Sequence, residues 1–275
     1  MRVDRTIVDA CYRLDEPALV ARVRDALAGS GCCVLPGFVA PDLHETLRAE
    51  GAALAPHAYH DVETVNVYNT EPDPSLPDGH PARREMLRGN AFVARDRIPA
   101  DAVIQRLYTD PAFQGFVAAC FGLTGIHELA DPLSGLVLNV VAPGREHPWH
   151  FDTNEYTVSL LTQAAQAGGL FEYCPGIRSP QAENLDAVAA VLDGDRDPVH
   201  TLDLRPGDLQ LFAGRYSLHR VSPVGGTRDR HTAILAYSER PGVVGTLART
   251  RQLFGRVADV HLAAAGATRV DRLLI

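Results

Sequence analysis

Residues 206–221 read Pro206-Gly207-Asp208-Leu209-Gln210-Leu211-Phe212-Ala213-Gly214-Arg215-Tyr216-Ser217-Leu218-His219-Arg220-Val221. A Pro-Gly-Asp turn feeds an apolar run over 208–212, and a second β-prone run, 218–221, follows the break at Gly214. Short runs closed by turn residues predict a sandwich or barrel, because each strand crosses one layer before the chain reverses. The texture continues outward on both sides. Further runs fall at 135–141, 156–162, 169–174, 199–204 and 232–238, and the chain's 23 Gly and 19 Pro supply the turns. One helix, about 183–192, interrupts the series and is stopped by Gly194.

Upstream of about residue 133 the pattern is helical. Leu19, Val20, Val23, Ala26 and Leu27 share a helical face, with Asp15 or Glu16 as cap and Gly29 as stop. A strand at 32–35 closes at Pro36-Gly37. Pro41 opens a second helix with Leu43, Leu47 and Leu54 on one side. Asp110-Pro111 opens another, whose stripe of Phe113, Phe116, Val117, Cys120 and Phe121 reads as core packing. Residues 69–83 hold Pro72, Pro74, Pro77, Gly79 and Pro81, so they form a loop that either covers a pocket or makes a surface excursion. The expectation is an α+β, mainly β chain forming a single domain over 1–275. It divides into a helical layer and loop over 1–132, a β core over 133–240 and a C-terminal extension over 241–275.

Composition narrows the function. Of 275 residues, 46% are hydrophobic and 22% charged, which suits a globular chain with a sizeable core. Thirty-four acidic residues face 26 basic ones, no basic face is visible, and nucleic acid is not expected as a partner. No apolar run reaches 18 residues, so no membrane span is expected. Met1–Arg5 carry charge without an apolar stretch, unlike a signal peptide. Five Cys without C-x-x-C spacing argue against a disulfide framework or a zinc cluster and suit a reduced, cytoplasmic protein. A homodimer is compatible with all of this.

The chemistry concentrates in His147-Pro148-Trp149-His150-Phe151-Asp152. On an extended chain, residues two apart share a face, so His150 and Asp152 present an imidazole and a carboxylate together. His219 supplies a second imidazole. Two His and one carboxylate form the facial triad that suits non-haem Fe(II) and leaves coordination positions open; zinc is disfavoured without a nearby Cys or third His. Arg228 and Arg230 follow His219 by 9 and 11 residues and share strand parity. A buried guanidinium needs a partner, and a dicarboxylate chelating the iron at one end would provide it. One of the two can equally face solvent or pair with a protein acid.

These residues resemble an Fe(II)/2-oxoglutarate-dependent oxygenase. More narrowly, Trp149 to Asp152, Gly168 to Tyr173, Pro206 to Phe212 and Gly214 to Val221 resemble the HalD/ArpA-like branch of amino-acid halogenases and hydroxylases, over about residues 60–257. The resemblance implies a double-stranded β-helix, or jelly roll, with supporting N-terminal helices. It implies Fe(II) held by His150, Asp152 and His219, with 2-oxoglutarate as co-substrate and O2 as oxidant. Halogenases of that branch have a small residue where this chain has Asp152, so the resemblance implies hydroxylation of a small, amino-acid-like substrate. Asn139 is a candidate for the co-substrate or for satisfying a backbone group. Arg88 is a candidate for the substrate carboxylate or a plain surface residue. His147, expected opposite to His150 on a regular strand, is a pocket-mouth or surface residue. Thr153, Asn154 and Glu155 are candidates for the substrate side, and Trp149 is expected to pack behind the metal. One of Glu172 and Tyr173 must face inward. Alternatives are desaturation or cyclisation by the same cofactors, a protein hydroxylase, a cupin-like metalloenzyme without 2-oxoglutarate, and a non-catalytic jelly-roll binding protein.

Overall fold

Alternation along the strands sorts their side chains into two kinds of surface, and these surfaces organise the chain. The computed structural model describes residues 6–71, 73–154 and 156–263 together with Leu273. A six-stranded antiparallel sheet runs, edge to edge, Cys32–Leu35, Leu209–Phe212, Thr157–Gln163, Arg230–Leu235, Leu136–Val141 and Ala91–Val93. A four-stranded antiparallel sheet runs His200–Leu202, Phe171–Cys174, Leu218–Val221 and His147–His150.

One face of the large sheet carries Leu35, Leu209, Leu211, Val158, Leu160, Ala233, Leu235, Leu136, Leu138, Val140 and Val93, all in one buried cluster. The helices Pro17–Ser30, His44–Leu54 and Pro111–Cys120 cover that face with Leu19, Val23, Leu47, Leu54, Phe113 and Phe116. Each such aliphatic side chain gains about 1.5–3 kcal/mol on leaving water, which fixes the helical layer on this side. The opposite face mixes Asn139, Ser159, Gln210, Arg230 and Thr232 with apolar residues, and all five are buried. A buried polar face has to meet polar chemistry, and this one faces the smaller sheet.

The expected helices form, with one boundary corrected. Gly29 lies inside the first helix, which ends at Gly31 in the left-handed conformation, its N–H capping the Leu27 carbonyl. Asp110 caps its helix as expected, accepting from the Ala112 and Phe113 N–H groups. Leu76 and Ala82 of the 69–83 loop pack with Trp149 and Phe151, on the outer side of the small sheet. Pro72, within that loop, lies outside the described residues, as do Met1–Arg5 and residues 264–272. No described helix is long and apolar enough to cross a membrane.

Candidate active site

The small sheet places the triad. His219 and His150 stand opposite each other on paired strands, and Asp152 follows two residues later. His150 Nε2 and His219 Nε2 lie 3.7 Å and 3.5 Å from Asp152 Oδ1. One ligand atom from each residue lies within 4.8 Å of the other two.

The tautomers are settled by the backbone. His150 Nδ1–H donates to the Pro148 carbonyl and His219 Nδ1–H to the Ser217 carbonyl, both at 2.8 Å. A carbonyl only accepts, so Nδ1 carries a proton in each ring and each Nε2 is turned toward Asp152. Burial, then the neighbouring His219, depresses the His150 pKa to about 3, so the imidazole stays neutral. Burial alone would raise the Asp152 pKa, but His219, His150 and the Thr157 hydroxyl hold it well below the usual carboxylate range. The Thr157 hydroxyl donates to Asp152 Oδ2 at 2.5 Å. Two imidazole nitrogens and a carboxylate oxygen, oriented by neighbours, form a donor set that fits Fe(II).

Gly214 makes room for this carboxylate. A Cβ there would lie 2.2 Å from Asp152 Oδ2 and 2.6 Å from Thr157 Oγ1. The Gly214 carbonyl also accepts the Asp152 N–H at 3.2 Å. Phe171 and Phe212 pack around the His219 ring.

Arg230 and Arg228 separate cleanly. Arg230 is 3% exposed, donates to the Thr232 hydroxyl, and has no carboxylate partner among the described residues. Burial pulls its pKa down to about 10. Arg228 is exposed and donates to the Ala164 carbonyl at 2.9 Å. The shared-parity expectation fails because the strand starts at Arg230, leaving Arg228 in the preceding turn. Asn139 stands opposite Thr232 on the adjacent strand, on the polar face, and accepts from Asn90 Nδ2 at 2.9 Å.

His147 corrects a second parity argument. Its ring stacks on His150 with centroids 3.9 Å apart, so both face the same way. Opposite them, His219 pairs with His150 and Val221 with His147, so three steps on one strand match two on the other. This is a β-bulge at Pro148-Trp149, where proline's missing N–H is tolerated. Arg88 is buried, correcting the surface alternative, and bonds Glu63 Oε2 at 3.1 Å. Thr153 is exposed and Asn154 half-buried, in the bend after Asp152; Glu155 lies outside the described residues. Tyr173 turns inward with Phe171 and Phe212, while Glu172 binds Arg196 and Arg220 on the outside. Those two arginines sit over the Trp149 ring, which therefore backs the metal strand. Arg249, absent from the motif-based reading, donates to the Gln252 side chain, while Arg88 donates to the carbonyl of the same residue. It lies 30 residues past His219, and no local pattern marks it.

Comparison with solved structures agrees with this geometry. A 2OG-Fe(II) oxygenase family oxidoreductase from Burkholderia pseudomallei aligns over 84% of this chain and 96% of its own, at 17% identity and TM-score 0.52. A prolyl hydroxylase from Trichoplax adhaerens, in complex with a hypoxia inducible factor peptide fragment, aligns over 86% and 92%, at 14% identity and TM-score 0.54. The carbocyclase SnoK from nogalamycin biosynthesis aligns over 78% and 82%, at 13% identity and TM-score 0.54. No curated protein shows significant sequence similarity to the chain. Fold and metal-ligand set together define a 2OG-Fe(II) oxygenase, which uses Fe(II), 2-oxoglutarate and O2. Within that class the chain belongs to the Halogenase D (HalD) family, whose profile matches residues 15–249.

Proposed function

We propose that the protein hydroxylates an unactivated sp³ C–H bond of a free amino acid or close derivative, on a double-stranded β-helix formed by its two sheets. The observation that carries this reading is Asp152. Its carboxylate stands where a halogenase of this branch has a small residue, and Thr157 and Gly214 fix it against His150 and His219. A site with that position filled by carboxylate has no place there for halide.

His150, Asp152 and His219 would hold the iron through Nε2, a carboxylate oxygen and Nε2. Arg230 would meet the far carboxylate of 2-oxoglutarate, the partner its buried guanidinium otherwise lacks, with Asn139 and Thr232 beside it. When bound, Fe(II) with 2-oxoglutarate and O2 supplies the C–H oxidation, and the co-substrate leaves as succinate and CO2. The chain's own task is to position the substrate carbon and keep water out. Arg88 and His147 would serve the substrate side: the His147 ring stacks on His150, and the strand of Arg88 packs against theirs. Burial and the neighbouring His150 and His219 hold the His147 pKa well below its ordinary value, so its neutral ring can donate or accept without adding charge.

The test is succinate release over free amino acids and related metabolites, with product mass. A gain of one oxygen supports hydroxylation. Loss of two hydrogens redirects the reading to desaturation or cyclisation, and chloride incorporation sinks it. Anaerobic Fe(II) plus 2-oxoglutarate should give a weak visible charge-transfer band; iron binding without the band would favour a cupin-like enzyme.

A further inference from the structure

A buried guanidinium, that of Arg88, and a half-buried one, that of Arg249, share Gln252 beside the strand that carries His147 and His150. Arg88 ends the strand Met86–Arg88, which packs beside His147–His150, and the following Gly89 N–H donates to the Glu146 carbonyl at 3.3 Å. Arg88 is 2% exposed, and its Nε and Nη1 are buried without a hydrogen bond. Only its Nη2 is engaged, with Glu63 Oε2 at 3.1 Å and the Gln252 carbonyl at 3.2 Å. Arg249 comes from the C-terminal helix Leu247–Phe254. Its Nη1 donates to Asn69 Oδ1 at 3.0 Å and to Gln252 Oε1, and no carboxylate among the described residues pairs with it. Both guanidiniums therefore converge on Gln252. Because strand Met86–Arg88 packs on His147–His150, this shared residue brings the start of the C-terminal helix to the strand that carries the metal ligand His150.

We propose that Arg249 and Arg88 together form the receptor for the substrate's carboxylate, so that the C-terminal helix supplies half of the anion site and determines specificity. This rests on the oxygenase reading above. Glu63 is the one carboxylate hydrogen-bonded to either guanidinium among the described residues, so the buried Nε and Nη1 of Arg88 are left for a further carboxylate. The free N–H groups of Arg88 and the forked geometry of both guanidiniums suit a planar carboxylate. Asn69 and Gln252 are neutral acceptors, so they can yield donors to a ligand without leaving a charge unpaired. Glu63, with its side chain 27% exposed, is the acid available to an ammonium on the same substrate.

The experiment titrates the full chain, both metal-free and loaded anaerobically with Fe(II) and 2-oxoglutarate, with acetate, the free L-amino acids, their methyl esters and inorganic phosphate. Binding is read by calorimetry and thermal shift in the wild type, Arg249→Met, Arg249→Lys and Arg88→Met. We expect at least one free amino acid to bind, its ester to bind at least tenfold more weakly, and Arg249→Met to lose about tenfold or more. Arg249→Lys keeps the charge but not the fork and should show a smaller loss, which keeps the test valid if the methionine variant folds poorly. The 2-oxoglutarate affinity, read from the charge-transfer band, should stay within about twofold. The proposal is overturned if no free carboxylate binds, if esters or phosphate bind as well as acids, or if both Arg249 variants bind like wild type. Absence of the band with carboxylate binding intact would sink the oxygenase reading and leave the receptor standing.

Discussion

At the scale of single residues, the site depends on what stands behind Asp152. Its Oδ1 faces the two imidazoles, while Oδ2 is held by Thr157 in a space that only a glycine at 214 leaves open. Gly214→Ala should push the carboxylate out of position, because the added methyl would run into the Asp152 carboxylate itself and the Thr157 hydroxyl that holds it. Fe(II) affinity, measured by chelator competition, is expected to fall at least tenfold. Thr157→Val removes only the orienting bond, and a loss of 10–100-fold is typical for such a partner. Unchanged affinity in both would mean that the carboxylate needs no support. Arg230 offers a sharper contrast, because its neighbour in the motif serves as control. Arg230→Met should weaken 2-oxoglutarate binding about a hundredfold or more, while Arg228→Met should leave it unchanged. Without co-substrate, Arg230→Met should also raise Tm, since it removes a buried charge that has no counter-ion in the protein. A lower Tm in that state would show that the guanidinium is already compensated.

At the scale of elements, legibility followed the regularity of the backbone. The strands at 209–212 and 218–221 were readable because turn residues bracket apolar runs, and His150 and Asp152 because they lie two apart on extended chain. Parity failed where extension failed: at the bulge that swings His147 beside His150, and in the turn that carries Arg228 outward. Arg249 was invisible for a different reason, since only tertiary packing brings its helix to the site. That packing has an identifiable anchor. Asp131, buried in the loop before Leu136–Val141, accepts from the Leu133, Ser134 and Gly245 N–H groups and from the Ser134 hydroxyl. His261 closes the set at 3.0 Å. Burial alone would raise the Asp131 pKa, but these donors outweigh it and hold the pKa below its ordinary value. Asp131→Ala should cost about 3–5 kcal/mol, because it strands several buried donors at once. Hydrogen exchange should show the loss concentrated in residues 243–263. If protection falls evenly over both sheets instead, Asp131 is not the anchor of the C-terminal segment.

At the scale of the whole molecule, the large sheet divides labour between its faces: aliphatic toward the helices, polar toward the metal. His231 departs from this division. It lies on the helical side, 2% exposed, beneath the helix His44–Leu54, where a Cβ on Gly51 would come within 2.9 Å of its Nδ1. Neither ring nitrogen has a hydrogen bond, and Asp229 is 3.9 Å away. Burial lowers its pKa in the folded state, and Asp229 offsets this only in part. The unfolded chain therefore binds the proton more readily. The stability tied to the neutral ring is fully present above the unfolded value of about 6.5. It is lost as pH falls below that value, by up to about 1.4 kcal/mol per pH unit until the folded-state pKa is reached. His231→Leu replaces the ring by an apolar side chain and abandons no hydrogen bond, so it should stabilise the protein. Urea denaturation of the metal-free chain at pH 7.5, 6.0 and 5.0 checks this, because removing the metal keeps the triad's ligation out of the comparison. The gap between variant and wild type should be small at pH 7.5 and widen with each step down. A gap that stays constant with pH would mean that packing against Gly51, and not the proton, sets what His231 costs the fold.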